Sequence, residues 1–337
     1  MKFRLQLWPV CLFLLLACLF GCNRQSSEPA TPPAEVKPAA AAGATTVSPG
    51  MDPEPPSHAS DNLPKPDVNG NHVMQYVKQV VAFGPRPPGS TAHLKLEEFI
   101  VSKLKGVDVE QDRFTAQTPV GKFPINNIIA KFPGKRDGII VVAGHYDTLY
   151  SQRQNFVGAN DAGSSTALLL ELGDQLRDRQ LDGYSVWLLW TDGEEAFVNW
   201  TATDSVYGSR HLAQKWQQDG TAKKIKAFIL VDMIGDADLD IVKDTFSTPW
   251  LSDLVYKAAS NLGYQSHFYQ FTSGIDDDHI PFSKIGIPVV DLIDFTYGYN
   301  NVFWHTPQDT VEKLSPQSLA ITTDVVLETM RLVDQRQ

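Results

Sequence analysis

The sequence predicts an α/β fold: a single-domain, three-layer α/β/α sandwich with a mixed, mostly parallel sheet. From about residue 69 onward, short apolar runs typical of strands alternate with runs whose apolar residues recur at helical spacing. Such alternation is typical of a parallel sheet covered by helices on both faces. The stretch holds roughly 270 residues, which is enough for one large domain.

Apolar periodicity places the individual elements. Strands are expected at residues 125–132, 138–143, 184–190, 226–231, 266–271 and 287–293, and helices at 72–83, 92–105, 162–176, 208–218, 250–262 and 315–333. Residues 84–90, which include three prolines, are expected to form a rigid turn between the first two helices. Ligands of open α/β sheets bind beyond the carboxyl ends of the strands, so polar residues that follow the strands are the candidate site residues.

The first 21 residues are typical of a signal peptide. Two basic residues precede an apolar core at 12–20, which is short for a membrane-spanning helix. Leu19-Phe20-Gly21-Cys22 is similar to a bacterial lipobox and predicts lipidation of Cys22. Cys18 is a second candidate for lipidation. An uncleaved membrane anchor and a plain secretion signal are the alternatives.

Residues 22–66 are rich in proline and alanine and lack apolar periodicity, so we expect a disordered tether before a globular domain at 67–337. This order predicts a lipid-anchored protein of the bacterial cell envelope that faces the periplasm. Asn23 follows Cys22 in place of the aspartate associated with inner-membrane retention, which favours the outer membrane. All three cysteines lie within the first 22 residues, so no disulfide is expected in the mature domain.

The formal net charge is −10, from 29 Lys and Arg against 39 Asp and Glu. An acidic chain is a poor partner for nucleic acid, and no polybasic patch marks a direct membrane contact. We therefore expect no nucleic-acid partner, and we expect a monomer.

Two adjacent carboxylates, Glu194 and Glu195, follow the apolar run at 186–190. Neighbouring residues at the end of a strand point in different directions. One carboxylate can therefore hold a metal while the other faces a substrate as a general acid or base. For this pair alone, a solvated acidic turn is the alternative.

Further polar residues follow the other apolar runs. They are His145 with Asp147, then Asp161, Asp232, Asp276–Asp278 and His305. Each has an ordinary alternative: a structural histidine, a helix N-cap at Asp161, a surface turn or a solvated acidic loop. Together they bring imidazole and carboxylate groups without thiolates to one edge of the sheet, which predicts a catalytic Zn²⁺ site.

The order of these residues resembles the pattern of the zinc aminopeptidase superfamily. Longer runs are similar to one branch of it, the animal-type glutaminyl-peptide cyclotransferases. The runs are Asp192-Gly193-Glu194-Glu195-Ala196-Phe197 with Trp200, Asp204-Ser205 with Tyr207-Gly208-Ser209-Arg210-His211-Leu212, Asp277-Asp278-His279-Ile280-Pro281-Phe282 and Trp304-His305-Thr306. The resemblance extends from about residue 73 to the C-terminus, and it indicates a bacterial lipoprotein member of that branch.

The resemblance implies an enzyme that converts the N-terminal glutamine of peptides to pyroglutamate and releases ammonia. It implies one Zn²⁺, held by Asp161, Glu195 and His305. Such an ion would polarise the side-chain carbonyl of the glutamine as a Lewis acid.

The resemblance also implies roles for residues that do not bind the metal. Glu194 would transfer the proton, beside an acidic hydrogen-bond network formed by Asp232 and Asp277. Trp200 and Trp304 would line the pocket for the glutaminyl side chain.

Two departures from that branch are visible. Animal members carry a disulfide near the position of Gly144, for which this domain has no cysteine, and they commonly carry glutamine where this chain has Asp276. The rim of the pocket is therefore expected to differ.

Two other functions stay open. In the aminopeptidase relatives, residues at the positions of His145 and Asp232 hold a second zinc, and both are present here. A dizinc aminopeptidase is therefore an alternative, with His145, Asp161, Glu195, Asp232 and His305 as ligands. A non-catalytic binding relative is the other alternative.

Overall fold

The computed structural model describes residues 62–150 and 155–336. The expected signal peptide, Cys22 and most of the expected tether lie outside these ranges. Residues 62–66 are described, and Leu63 is buried against the core. The ordered contacts of the domain therefore include a residue just before the expected boundary at 67. None of the described helices is both long and apolar enough to cross a bilayer.

Strands and helices alternate along most of the described chain. The strands are β1 (Asp108–Thr118), β2 (Gly121–Phe132), β3 (Gly134–His145), β4 (Leu181–Thr191), β5 (Ile225–Asp232), β6 (Ile241–Asp244), β7 (Phe268–Ser273) and β8 (Val289–Ile293). The helices are α1 (Gly70–Val81), α2 (Thr91–Lys103), α3 (Gly163–Leu176), α4 (Tyr207–Asp219), α5 (Pro249–Leu262), α6 (His279–Lys284) and α7 (Pro316–Gln335).

The main sheet has six strands in the order β1-β2-β4-β3-β5-β8. The pairs β3–β4, β3–β5 and β5–β8 are parallel, whereas β1–β2 and β2–β4 are antiparallel. The expected mixed, mostly parallel sheet is confirmed. Because β3, β4, β5 and β8 run in the same direction, their carboxyl ends lie along one edge.

Helices cover both faces of this sheet. On one face, Ile128 and Val142 pack in a core with residues of α1, α2, α3, α5 and α7. On the other face, Ile129 and Val141 pack with Trp216 of α4 and with α6. Consecutive strand residues therefore enter opposite cores, as the two-residue period of a strand requires. The expected three-layer α/β/α arrangement is confirmed.

Four elements differ from expectation: β1, β6, β7 and the six-residue helix α6, which was not expected. β1 was not expected, because this edge strand carries exposed polar residues along most of its length and has no continuous apolar run. β6 was also missed; it has four residues. The strand expected at 266–271 exists as β7, but it pairs with β6 in a separate two-stranded sheet.

Candidate metal centre and substrate pocket

The parallel strands bring the expected site residues to one edge of the sheet. β3 ends at His145 and β5 ends at Asp232, and Nε2 of His145 lies 3.2 Å from Oδ1 of Asp232. The Glu194-Glu195 pair follows the end of β4 by three residues. All four side chains are buried. The surface-turn alternative for Asp232 is therefore wrong.

Asp161 lies between two imidazoles just before α3. Its Oδ1 is 3.1 Å from Nε2 of His145, and its Oδ2 is 3.4 Å from Nε2 of His305. The N-cap residue of α3 is Ala162, which makes no side-chain capping bond, so the N-cap alternative for Asp161 is wrong. Asp161 instead contacts His145, at the end of β3, and His305.

The two glutamates face different groups, as expected for neighbours at a strand end. Oε2 of Glu195 lies 3.2 Å from Nε2 of His305, whereas Oε2 of Glu194 lies 3.7 Å from Nδ1 of His145. The fully buried Asp147 accepts hydrogen bonds from the backbone N–H groups of both, at 3.2 and 3.3 Å. Asp147 therefore fixes the backbone from which the two carboxylates diverge.

Two groups of side chains can each hold a metal ion. Asp161, Glu195 and His305 form one, and His145, Asp161 and Asp232 form the other, with the ligand atoms of each group within 4.8 Å of one another. Asp161 belongs to both. Nitrogen and oxygen ligands in a set of three are typical of a catalytic zinc site that keeps a position for water or substrate.

The first group fits a cation for an electrostatic reason. Both oxygens of Glu195 are buried, and neither accepts a hydrogen bond from the described residues. Burial lowers the pKa of His305, but Glu195 and Asp161 together outweigh this effect and raise that pKa to about 10. The buried carboxylates thus favour a positive charge at this position, which a bound Zn²⁺ would supply.

The carboxyl groups beside this centre are poor acids. Burial, followed by the charges of Asp277 and Glu195, raises the pKa of Glu194 well above its usual value. Burial and the charge of Asp232 likewise raise the pKa of Asp277. Carboxyls this close in a buried site share protons instead of ionising together. A carboxyl whose pKa lies above its usual value is a stronger base than an ordinary carboxylate, which suits it to accept a proton and return it.

A pocket of about 470 Å³ opens above these groups. Trp304 lines it and stacks on His305, with ring centroids 4.0 Å apart. Phe295 packs edge-on against Trp304 at 5.0 Å, and Trp200 lines the opening with 38% of its surface exposed. Both expected tryptophans therefore contribute to the pocket wall.

Several supporting residues had no expected role. Asp309 accepts hydrogen bonds from the backbone N–H groups of Asn160 and Asp161, at 2.8 and 3.1 Å. Asp204 accepts three N–H groups, from 197 to 199, just before Trp200. Asp204 and Asp309 stand in or beside the runs quoted above, which is the signal that could have singled them out.

The buried Arg86 is a further supporting residue. Its guanidinium donates hydrogen bonds to the backbone carbonyls of Val157 and Gly158, at 2.6 and 3.1 Å. It therefore fixes the loop that leads to Asp161. The turn that contains Arg86 was expected to be rigid, but its contact with this loop was not expected.

A third group of potential ligands, His93, Glu97 and Asp192, includes the first residue of the turn at 192–195, called here the catalytic turn. Its members are already engaged. Nε2 of His93 lies 2.8 Å from Oδ1 of Asp192, and Asn126 donates its backbone N–H to Asp192 and its side-chain amide to Glu97, each at 2.7 Å. These contacts join α2 to the start of the turn that carries Glu194.

The fold and the site together define a zinc-aminopeptidase-like protein, and comparison with known proteins narrows that class. Residues 127–330 match the profile of peptidase family M28. Glutaminyl-peptide cyclotransferase of Drosophila melanogaster is 32% identical over 71% of this chain and 73% of its own length. The chain therefore belongs to peptidase family M28, in its glutaminyl-peptide cyclotransferase branch.

Solved structures give the same result. The glutaminyl cyclase of an Acidobacteriales bacterium is 46% identical, with a TM-score of 0.78 over 87% of this chain and 100% of that one. The glutaminyl cyclase of Porphyromonas gingivalis is 27% identical, with a TM-score of 0.70 over 80% and 98%. The family expected from the sequence is confirmed.

Proposed function

We propose that this chain is a zinc-dependent glutaminyl-peptide cyclotransferase, which converts the N-terminal glutamine of a peptide to pyroglutamate and releases ammonia. The observation that carries the proposal is the division of labour between two adjacent carboxylates. Glu195 belongs to a group of potential metal ligands, whereas Glu194 lines the same pocket and faces another histidine. The names of the relatives in Drosophila and in bacteria support the same reaction.

The reaction is an intramolecular acyl transfer. The α-amine nitrogen of the glutamine bonds to its own side-chain amide carbon, the bond from that carbon to the amide nitrogen breaks, and ammonia leaves. An intramolecular attack mainly requires that the substrate be folded into near-attack geometry. We assign this task to the walls that Trp200 and Trp304 provide, which also exclude water as a competing nucleophile.

We assign the proton transfer to Glu194. Its buried carboxyl group lines the pocket, takes a proton from the attacking amine and gives a proton to the leaving nitrogen. Asp232 and Asp277 line the same pocket and share protons with it. When held by Asp161, Glu195 and His305, Zn²⁺ supplies Lewis-acid polarisation of the substrate's side-chain carbonyl.

We propose one zinc ion per chain. In the group that contains Glu195, both carboxylate oxygens lack a hydrogen bond from the described residues. In the group that contains His145, Nε2 shares a hydrogen bond with Oδ1 of Asp232 at 3.2 Å, whereas the approach of His305 to Glu195 at 3.2 Å makes no hydrogen bond. We therefore assign His145 and Asp232 to support of the ligand Asp161.

A dizinc aminopeptidase is the second candidate. Asp161 belongs to both groups of potential ligands, and a shared carboxylate is what two neighbouring metal ions would need. The two candidates predict different products from the same peptide. Hydrolysis gives free glutamine, whereas cyclisation keeps the peptide bond and gives ammonia.

The test is incubation of the purified protein with Gln-Ala and separate measurement of ammonia, pyroglutamyl-alanine and free glutamine. We expect pyroglutamyl-alanine and ammonia in equal amounts. Free glutamine and alanine as the main products would contradict the cyclisation and support the aminopeptidase. A zinc-loaded protein that yields neither set of products would support a non-catalytic relative.

We further propose that the enzyme is anchored to the bacterial cell envelope by a lipid on Cys22 and faces the periplasm, with the outer membrane as its site. The similarity of residues 19–22 to a lipobox and the proline-rich composition of the following segment support this location. The domain would then act on peptides and proteins with N-terminal glutamine that enter the periplasm.

A further inference from the structure

We propose that this enzyme selects among peptides with N-terminal glutamine by the charge of their second residue, and that Asp276 is the residue that makes the selection. A basic second residue is favoured and an acidic one is disfavoured. This inference rests on the proposed function, because it names the class of substrate that the same pocket takes.

Burial divides the pocket into a floor and a mouth. The floor carries the buried carboxyl groups, namely Asp161, Glu194, Glu195, Asp232 and Asp277. The mouth consists of the exposed lining residues, namely Val198, Asn199, Trp200, Gly274 and Asp276. The N-terminal glutamine has to reach the floor, because the reacting groups lie there. The second residue of the peptide therefore lies at the mouth.

The mouth has a single sign of charge. Asp276 is the charged residue among those five, and the described lining of the pocket contains no lysine or arginine. An arginine side chain at the second position of a peptide finds a carboxylate and, among the described lining residues, no competing cation. A glutamate side chain at the same position meets the like charge of Asp276 at the mouth and lies near the buried carboxyl groups of the floor. Like charges in such proximity disfavour binding.

Asp276 is held in place by an aromatic neighbour. Nε1 of Trp200 donates a hydrogen bond to Oδ2 of Asp276 at 3.4 Å. The carboxylate is thus held beside the indole ring at the opening through which the peptide must pass. A charge that is already positioned loses less side-chain freedom when it pairs with a substrate.

The expected size of the selectivity follows from the exposure of the ion pair between Asp276 and an arginine of the substrate. Exposed ion pairs change an equilibrium by roughly two- to fivefold. Attraction of arginine and repulsion of glutamate add, so we expect about a tenfold ratio of kcat/KM between Gln-Arg-Ala and Gln-Glu-Ala at low ionic strength. The Debye length falls from about 10 Å at 0.1 M salt to about 3 Å at 1 M, so the ratio should shrink in salt.

The experiment compares the native enzyme with Asp276→Asn, which removes the charge and keeps an oxygen that can accept the Trp200 hydrogen bond. Asp219→Asn is the matched control, because Asp219 is an exposed carboxylate at the end of α4 and does not line the pocket. Three peptides are used: Gln-Arg-Ala, Gln-Ala-Ala and Gln-Glu-Ala. The ratio of kcat/KM for the first and the last is measured at low salt and in 1 M NaCl.

We expect Asp276→Asn to reduce the ratio by about threefold or more, and Asp219→Asn to leave it within about twofold of the native value. A smaller fall in Asp276→Asn, an equal fall in Asp219→Asn or a native ratio that persists in 1 M NaCl would overturn the proposal. Gln-Ala-Ala separates this result from the proposed function. If the native enzyme does not cyclise that neutral peptide, the proposed function itself fails.

Discussion

Glu194 and Glu195 are consecutive in the chain, yet their carboxylates contact different histidines. Glu195 lies 3.2 Å from Nε2 of His305, and Glu194 lies 3.7 Å from Nδ1 of His145. The two side chains have the same chemistry and nearly the same burial. Replacing each of them in turn therefore tests the effect of position separately from the effect of residue type.

We expect Glu194→Gln to lower kcat by about 10²–10⁴-fold while zinc stays bound, because the amide keeps the size of the carboxyl but cannot accept the proton. Glu195→Gln should instead lose zinc, and activity with it, since a charged ligand is replaced by a neutral one. The measurements are turnover of Gln-Ala and zinc per chain after dialysis. Unchanged turnover in Glu194→Gln would remove that residue from the mechanism, whichever products are formed.

Replacement of His305 and of His145 in turn distinguishes a site with one metal ion from a site with two. His305→Ala should lower zinc content strongly, because the site then keeps two carboxylates and no imidazole. His145→Ala should keep one zinc with an affinity lowered by about 10–100-fold, since the proposed single-metal site includes His145 as a support of Asp161 and not as a ligand. Zinc per chain is measured by atomic absorption after dialysis. Two ions in the native protein, with one lost in His145→Ala, would establish the dizinc arrangement.

Asp147 tests how far the backbone of the catalytic turn depends on one side chain. It accepts the N–H groups of Glu194 and Glu195, and removal of such supporting residues commonly costs about 10–100-fold in activity. We expect Asp147→Ala to lower kcat/KM by that order, and Asp147→Asn to lower it less, because one acceptor oxygen remains. Far-UV circular dichroism checks that both variants are folded. Full activity in Asp147→Ala would show that the turn holds without it.

The main sheet could be predicted from the sequence because its central strands are buried on both faces and therefore form continuous apolar runs. β1 could not, since an edge strand with exposed polar residues has no such run. β7 was predicted as a strand, but its pairing with β6 in a second sheet was not predicted. Its apolar residues are compatible with either partner, and pairing with β6 depends on contacts that local periodicity does not encode.

The residues of the site also differ in how well the sequence predicted them. His145 and Asp232 could be predicted because they end parallel strands, and the carboxyl ends of such strands meet at one edge. No role was predicted for Asp204 and Asp309, although they stand in or beside the quoted runs, because they act by accepting backbone N–H groups, which every residue type except proline provides. The positive φ of 53° at His305 is also invisible in the sequence, since non-glycine residues adopt it only in particular tertiary settings.

A pair of glycines tests the packing that holds the catalytic turn. A Cβ at Gly208 would lie 2.2 Å from Oδ1 of Asn127 and 2.4 Å from the carbonyl oxygen of Asp192. Gly208→Ala should therefore destabilise the protein by about 1–3 kcal/mol, the usual cost of overpacking. The measurement is urea unfolding followed by tryptophan fluorescence.

Gly173→Ala is the matched control. Gly173 lies within α3, and its new Cβ would lie 3.3 Å from the end of the Leu104 side chain, which can move. Alanine favours a helix over glycine by about 1 kcal/mol, so this variant should be neutral or slightly more stable. If the two variants lost the same stability, the close approach at Gly208 would not be the cause.

The proposed anchor is tested at the cysteine that would carry the lipid. The lipid would be attached to the thiol of Cys22, so Cys22→Ala should release the protein from the membrane fraction or leave it unprocessed.

Cys18→Ala is the matched control, since it removes a cysteine from the same apolar segment and leaves the preferred lipobox intact. Cell fractionation and the mass of the mature N-terminus are measured for both variants. A fully processed Cys22→Ala protein that stays in the membrane fraction would contradict the anchor at Cys22, and loss of membrane attachment in Cys18→Ala alone would move it to Cys18. The catalytic measurements above do not depend on either result, because Cys18 and Cys22 lie far before Leu63, which packs in the core of the described domain.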